Sequence, residues 1–250
     1  MPDKHYGPTL KVFEATLAEA ICTSQAHAGK PAPTGAHFYA SVLFSAICTR
    51  SVSLARILPA SSWSDKAFEH WDYMTVAGIV RSLIETRLAF FYLCVEECSA
   101  DEWDCRWNLL NLHDCASRIE LFSIMPDGKS DVAGFRLQLE DLRSRLLSNP
   151  FFMQLGGQKR MLNGNVAFLG SLQEIANRAG VDQQSFRILY KMASTQVHMY
   201  PLAYYRAAEQ GRGTGTQSDV EVGYTWMFLD IAVQLLAAAN EEMKALWVRP

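Results

Sequence analysis

Apolar residues recur every three to four positions along almost the whole chain, and no segment alternates apolar with polar residues for the length of a strand. Over residues 8–28, Leu10, Phe13, Leu17, Ala20 and Ile21 fall on one helical stripe. Within 218–246, Tyr224, Phe228, Ile231, Leu235 and Leu236 do the same. Helix-breaking residues punctuate the pattern: 30–35, rich in Pro and Gly, then Pro59, Pro126-Asp127-Gly128, Asn149-Pro150, Gly180, Pro201 and the Gly/Thr run 211–216. Helices are therefore predicted over 36–58, 66–97, 99–122, 130–147, 166–179 and 182–199, with Ser64-Asp65 capping the second of these. Residues 151–164, with Gly156, Gly157, Gly164 and the pair Lys159-Arg160, read as a loop. The expected fold class is all-α, a single helical bundle of about seven to eight helices forming one domain over 1–250.

The chain has 250 residues, 49% apolar and 20% charged, enough for a sizeable core and too apolar for disorder. Lys plus Arg number 23 against 26 Asp plus Glu, a net charge of -3. That excludes a basic nucleic-acid footprint spread over the whole surface, though not a local patch. Six cysteines do not make a disulfide scaffold. Residues 1–10 carry Asp3, Lys4 and His5 and lack the apolar core of a secretory signal. The most apolar stretches are 36–49, 76–95 and 231–239. Only the second is long enough to cross a bilayer, and Arg81, Glu85 and Arg87 interrupt it. A soluble cytoplasmic protein with no membrane partner is expected.

Two stretches could carry chemistry. Arg81 and Glu85 stand at i, i+4 and share a helical face with Ser82, Thr86 and Gly78. Arg87 falls on the apolar side, among Val80, Leu83, Ile84 and Phe91, where a charge must find a partner. Later, Tyr190, Ser194 and His198 form another stripe, so the Ser194 hydroxyl and the His198 imidazole can meet for acid–base or nucleophilic work. No third residue of a triad is assignable, and there is no G-x-S-x-G elbow. Aromatics follow at Tyr200, Tyr204 and Tyr205.

Three other patterns are weaker. Residues 172–191 are similar to a bacterial helix-turn-helix, with Gly180 in the turn and Asp182, Gln183, Gln184 and Arg187 on the reading helix. Arg178, Arg187 and Lys191 against Glu174 and Asp182 leave only +1, little for phosphate contacts. As a bundle corner instead, the segment would bury Phe186, Leu189 and Tyr190, with the last helix covering one side. Cys94, Cys98, Cys105, His113, Asp114 and Cys115 lack the paired C-x2-C of a structural zinc site, and no metal site is expected. Arg106 and His113 match the loose R-x4–6-H signature of helical HEPN ribonucleases, but about one accidental match is expected in a chain of this composition.

R-x-x-x-E at Arg81–Glu85, the segment 175–180, and Y-x-x-x-S-x-x-x-H at Tyr190, Ser194 and His198 together resemble a bacterial all-α family of unknown function, over about residues 65–210. The resemblance implies a helical bundle with a polar site built from the two helices, and supplies no activity. A distant HEPN-like relation is suggested, although R-x6-H here does not include His198. The leading expectation is a polar pocket lined by Arg81, Glu85, Ser194 and His198. In catalysis, hydrolysis or RNA cleavage, His198 would be the general acid/base, Arg81 the anion clamp and Glu85 the group orienting Arg81. The alternatives are a DNA-binding regulator reading through Gln183, Gln184 and Arg187, and a non-catalytic interaction scaffold. The partner is an unknown ligand or RNA, DNA belongs only to the regulator, the cofactor is unknown, and a homodimer is allowed. Far-UV circular dichroism should return roughly 60% helix or more with no clear sheet component.

Overall fold

A computed structural model describes residues 3–125, 129–198, 201–207 and 212–248, and the described structure is 77% helical. In chain order the helices are α1 Asp3–His27, α2 Gly35–Ile57, α3 Tyr73–Phe90, α4 Ala100–Ile124, α5 Lys129–Ser148, α6 Pro150–Gln154, α7 Gln158–Met161, α8 Leu172–Arg178, α9 Gln183–Val197, α10 Pro201–Ala207 and α11 Asp219–Val248. A π-helical turn, Phe91–Val95, extends α3. Among the described residues there is no strand, and one isolated bridge joins Trp71 and Gly215. The predicted break at 126–128, the predicted helix end at 199, Tyr200 and residue 211 lie outside the described residues.

Capping chemistry sets several boundaries and corrects three of the predicted ones. The long central helix starts at Tyr73, not at 66. Asp72 Oδ1 accepts from Thr75 N at 3.0 Å, and Trp71 N donates to Gly215 O at 3.0 Å, which holds the residue before the cap extended. The segment predicted as helix from 166 becomes helical only at Leu172. There Ser171 and Glu174 form a reciprocal capping box, Glu174 N donating to Ser171 Oγ at 3.2 Å and Ser171 N to Glu174 Oε2 at 2.6 Å. The predicted loop 151–164 contains two short helices. Asn149 Oδ1 accepts from Phe152 N at 2.9 Å and Pro150 occupies the first turn, where its missing N–H is no loss.

The helices group into two compact units, Met1–Val95 with Ile175–Pro250, and Glu96–Glu174. In the first, α3 is the hub: α2, α9 and α11 all pack against it, while α1 lies on α11 and α2. Rings pair along α1 and α11 from one end to the other, His5 with Trp226 at 5.3 Å and His27 with Trp247 at 4.5 Å, so the two helices run parallel. Phe13, Phe44, Phe90, Tyr92 and Phe228 are fully buried in this unit. The apolar stretches 36–49 and 231–239 belong to α2 and α11. Contrary to the expectation that these two stretches are too short, both helices are long and apolar enough to cross a membrane by length and composition, and both pack on α3 here.

In the second unit, α4 packs along α5 and α6 touches both. Leu109, Leu112, Leu142, Leu146 and Phe152 form its core. Arg106 is 4% exposed and held by Glu96 at 2.8 Å and by Glu102, whose carboxylate takes its Nε at 3.0 Å. His113 Nδ1 donates to Gly164 O at 2.8 Å. Gly164 is needed there: its φ is +76°, and a Cβ would sit 2.5 Å from the Ala116 Cβ. Both ends of the R-x6-H match thus serve as anchors within the unit.

Arg87, the charge expected to need a partner, is 5% exposed and pairs with Glu242 of α11. Its guanidinium also lies 5.9 Å from the Phe90 ring centre and 5.7 Å from that of Phe91. Burial pushes the Arg87 pKa below the ordinary arginine value, and Glu242 opposes that shift. Glu242→Ala leaves the guanidinium buried without its counter-charge. It should destabilise the protein by about 3–5 kcal/mol in urea denaturation; a loss within the error of the measurement would show that the pair does not hold α11 to α3.

Candidate functional site

α3 and α9 pack side by side and antiparallel. Gly78 of α3 faces Val197 of α9, and Glu85 faces Tyr190. A Cβ at Gly78 would meet Val197 Cγ2 at 3.6 Å, an ordinary van der Waals contact. Between these points, the polar residues of the two helices meet.

Tyr190 Oη donates to Glu85 Oε1 at 2.6 Å. Arg81 Nη2 lies 3.2 Å from the same carboxylate oxygen and donates to Tyr190 Oη at 3.5 Å. The guanidinium sits 5.4 Å over the Tyr190 ring, and that ring stacks on Phe186 at 5.4 Å. Arg81 Nη1 is 3.3 Å from His198 Nε2. Guanidinium has no acceptor, so this contact requires a lone pair on Nε2 and places the neutral imidazole's proton on Nδ1. The hydrogen bond to Tyr190, then Glu85, raises the Arg81 pKa above the ordinary arginine value, with burial working against them. Burial first, and then the bond to Glu85, raises the phenol of Tyr190. Arg81 is therefore charged throughout the physiological range.

His198 closes α9: its N–H donates to Ser194 O at 3.1 Å and its side chain is exposed. The result is a polar row along the α3–α9 seam: Glu85 and Tyr190, the one-fifth-exposed Arg81 side chain, and the exposed His198.

Of the four predicted lining residues, Arg81, Glu85 and His198 come together. Ser194 lies on the same stripe, but its Oγ is buried and has no hydrogen-bond partner, so the expected Ser194–His198 side-chain pairing is not made. Tyr190 takes the place given to Ser194. Its position on the stripe, at i, i+4, i+8 with Ser194 and His198, was the available signal. A second polar link joins α2 to α3, Arg50 Nε donating to Ser82 Oγ at 2.7 Å.

The helix-turn-helix geometry is present as α8, the left-handed Gly180 (φ +80°) and α9. Asp182 caps α9 by accepting from Ser185 N at 2.8 Å, and Gln183, Gln184 and Arg187 are exposed. Phe186 is buried while Leu189 and Tyr190 are half-buried, and the helix packed on them is α3 rather than the last helix. Among the described residues, no group of three or more His, Cys, Asp or Glu side chains is placed to hold a metal.

A model of a family of unknown function matches residues 37–213. The chain belongs to that family, DUF5677. The matched span contains both helices of the Arg81–His198 cluster and stops short of α1 and α11. No curated protein and no solved structure matches the chain. Membership of DUF5677 brings the helical core and no activity with it.

Tyr190→Phe removes one hydroxyl that joins α3 and α9 at Glu85 and Arg81. It should cost about 1–2 kcal/mol in thermal or chemical denaturation. His198→Ala, at an exposed helix end, should stay within about 0.5 kcal/mol of the wild type. The reverse order of effects would mean that the cluster is held from the His198 end.

Proposed function

We propose that the chain cleaves phosphodiester bonds, with RNA as the substrate class, at the row formed by Glu85, Tyr190, Arg81 and His198. The observation that supports this most is the Arg81–His198 contact at 3.3 Å, which puts an anion-binding cation beside an exposed imidazole. Arg81 is the anion clamp for the phosphate, and Glu85 and Tyr190 hold its guanidinium in place. When a phosphate displaces His198 from Arg81, the Nε2 lone pair is free to take a proton. RNA carries its own nucleophile. His198 takes the 2′-hydroxyl proton, the 2′-oxygen bonds to phosphorus, and the 5′-oxygen leaves with a proton returned to it. The products are a 2′,3′-cyclic phosphate and a 5′-hydroxyl. Ser194 is given no bond-making role, because its Oγ is buried. We place the protein in the cytoplasm, where its six free thiols would stay reduced.

DNA binding through α9 is a second reading, favoured by the exposure of Gln183, Gln184 and Arg187 after a Gly turn. Asp182 at the head of that helix and the local balance of +1 weigh against phosphate contacts there.

The deciding experiment incubates the protein with single-stranded and hairpin RNA and analyses the ends produced. Cyclic phosphate termini are expected from the wild type, with losses of about a hundredfold or more in His198→Ala and Arg81→Ala. Equal rates in wild type and His198→Ala, or no cleavage of any RNA by the wild type, would leave the cluster as a helix clasp in an interaction scaffold. A salt-dependent gel shift on duplex DNA that vanishes in Arg187→Ala would favour the regulator instead.

A further inference from the structure

α3 keeps one strip part-way open between two of its neighbours. α2 and α9 both pack against it. Gly78, Arg81, Ser82 and Glu85 are half-buried, while Val80, Leu83 and Ile84 are buried. Arg81 and Ser82 are consecutive, so their side chains leave the helix about 100° apart. Arg81 and Glu85 turn to α9, where Tyr190 and His198 meet them. Ser82 turns to α2, where Arg50 Nε donates to its hydroxyl at 2.7 Å. One guanidinium therefore stands on each side of the strip.

The two cations are held differently. Arg81 and Arg87, the arginines of α3 itself, each face a carboxylate, Glu85 and Glu242. Arg50, among the described residues, faces none. Its Nη1 donates to Ala46 O at 3.2 Å, so the guanidinium is tied at two points, to its own helix and to α3, by neutral acceptors. A guanidinium has five N–H donors, and Ala46 and Ser82 take two of them. The rest stay available on a half-buried side chain that is already oriented. The entropy lost in ordering a long side chain is thus spent before any ligand arrives. A link between α2 and α3 needs only a donor for Ser82, not a full charge held part-way out of water. A fixed guanidinium with spare donors and no counter-charge suits an anion with several acceptor oxygens.

We propose that Arg50 binds a second phosphate of the RNA strand, the one next to the phosphate held at Arg81. The strand then crosses α3 from the α9 side to the α2 side, with Ser82 between the two contacts. Separate phosphates follow from the directions the cations take. The Arg81 guanidinium is drawn over the Tyr190 ring at 5.4 Å, and Arg50 is drawn back along α2 towards Ala46. The inference rests on the phosphodiester reading above, and it makes Arg50 a substrate-binding residue with no part in the bond-making steps.

The test compares the full chain with its Arg50→Ala and Arg50→Gln variants, the second of which keeps an N–H donor without the charge. Arg56→Ala is the control, because Arg56 is exposed on the same helix and carries the same charge. Binding is measured over a range of salt with 2′-O-methyl RNA strands, which lack the attacking hydroxyl. Affinity should fall about tenfold in both Arg50 variants and stay at the wild-type value in Arg56→Ala. The slope of log affinity against log salt should shrink by about 0.7 in the Arg50 variants, the amount for one single-strand phosphate contact. In cleavage of RNA without terminal phosphates, kcat/KM should drop about tenfold on a trinucleotide, which has two internucleotide phosphates, and hold on a dinucleotide, which has one. A salt slope unchanged by loss of Arg50, no binding of any strand by the wild type, or equal losses on dinucleotide and trinucleotide would overturn the inference. Cleavage that ignores Arg50 removes this contact and leaves the catalytic reading. A slope that shrinks as expected in a protein that cleaves no RNA removes the catalytic reading and leaves the contact.

Discussion

Charge in a dry place must be paired, and α3 carries two guanidiniums to the helices around it, Arg87 buried and Arg81 partly exposed. Their partners come from different helices. Arg87 reaches Glu242 on α11, and Arg81 reaches Tyr190 and His198 on α9 while keeping Glu85 of its own helix. Each pairing admits only one register of the neighbouring helix. The same physics that would penalise a misplaced helix therefore selects the arrangement in which α3 touches α2, α9 and α11 together. Apolar contact supplies the bulk of the attraction between these helices, and the two cations add direction to it.

The two cations differ in how far they are closed off. Arg87 is shut in by Phe90, Phe91 and Glu242. Arg81 retains some exposure, and its row of partners ends at an exposed imidazole. The Glu85–Tyr190 bond in that row is only partly buried, and the Glu85 side chain is 40% exposed, so the whole row lies within reach of solvent. The family of unknown function to which the chain belongs includes both helices of that row within its matched span.

Helix content, most breaks and the two polar stripes were legible in the sequence, because 3.6-residue periodicity and breaker residues are local properties. The pairing of α3 with α9 rested on their wide apolar faces. What escaped was decided by partners far along the chain. The start of α3 moved from 66 to Tyr73 because Trp71 bonds to Gly215, more than a hundred residues away. The Ser171–Glu174 capping box was readable as S-x-x-E but lay inside an apparent helical stretch. Ser194 and Tyr190 shared one stripe, and spacing alone cannot tell which of two neighbours on a stripe points its hydroxyl at Glu85. Rotation of α9 about its own axis settles that, and packing on α3 sets the rotation.

The parallel pairing of α1 with α11 has a consequence for biosynthesis. Phe13, Leu17 and Ala20 of α1 are fully buried, and α11 is one of the two helices on which α1 lies. About 190 residues separate the end of α1 from the beginning of α11. At a ribosomal pace of about 5–20 residues per second, α1 emerges roughly 10–40 seconds before α11 exists. During that interval its apolar stripe lacks one of the surfaces that finally cover it. The burial of α1 is therefore complete only after the last helix has been made.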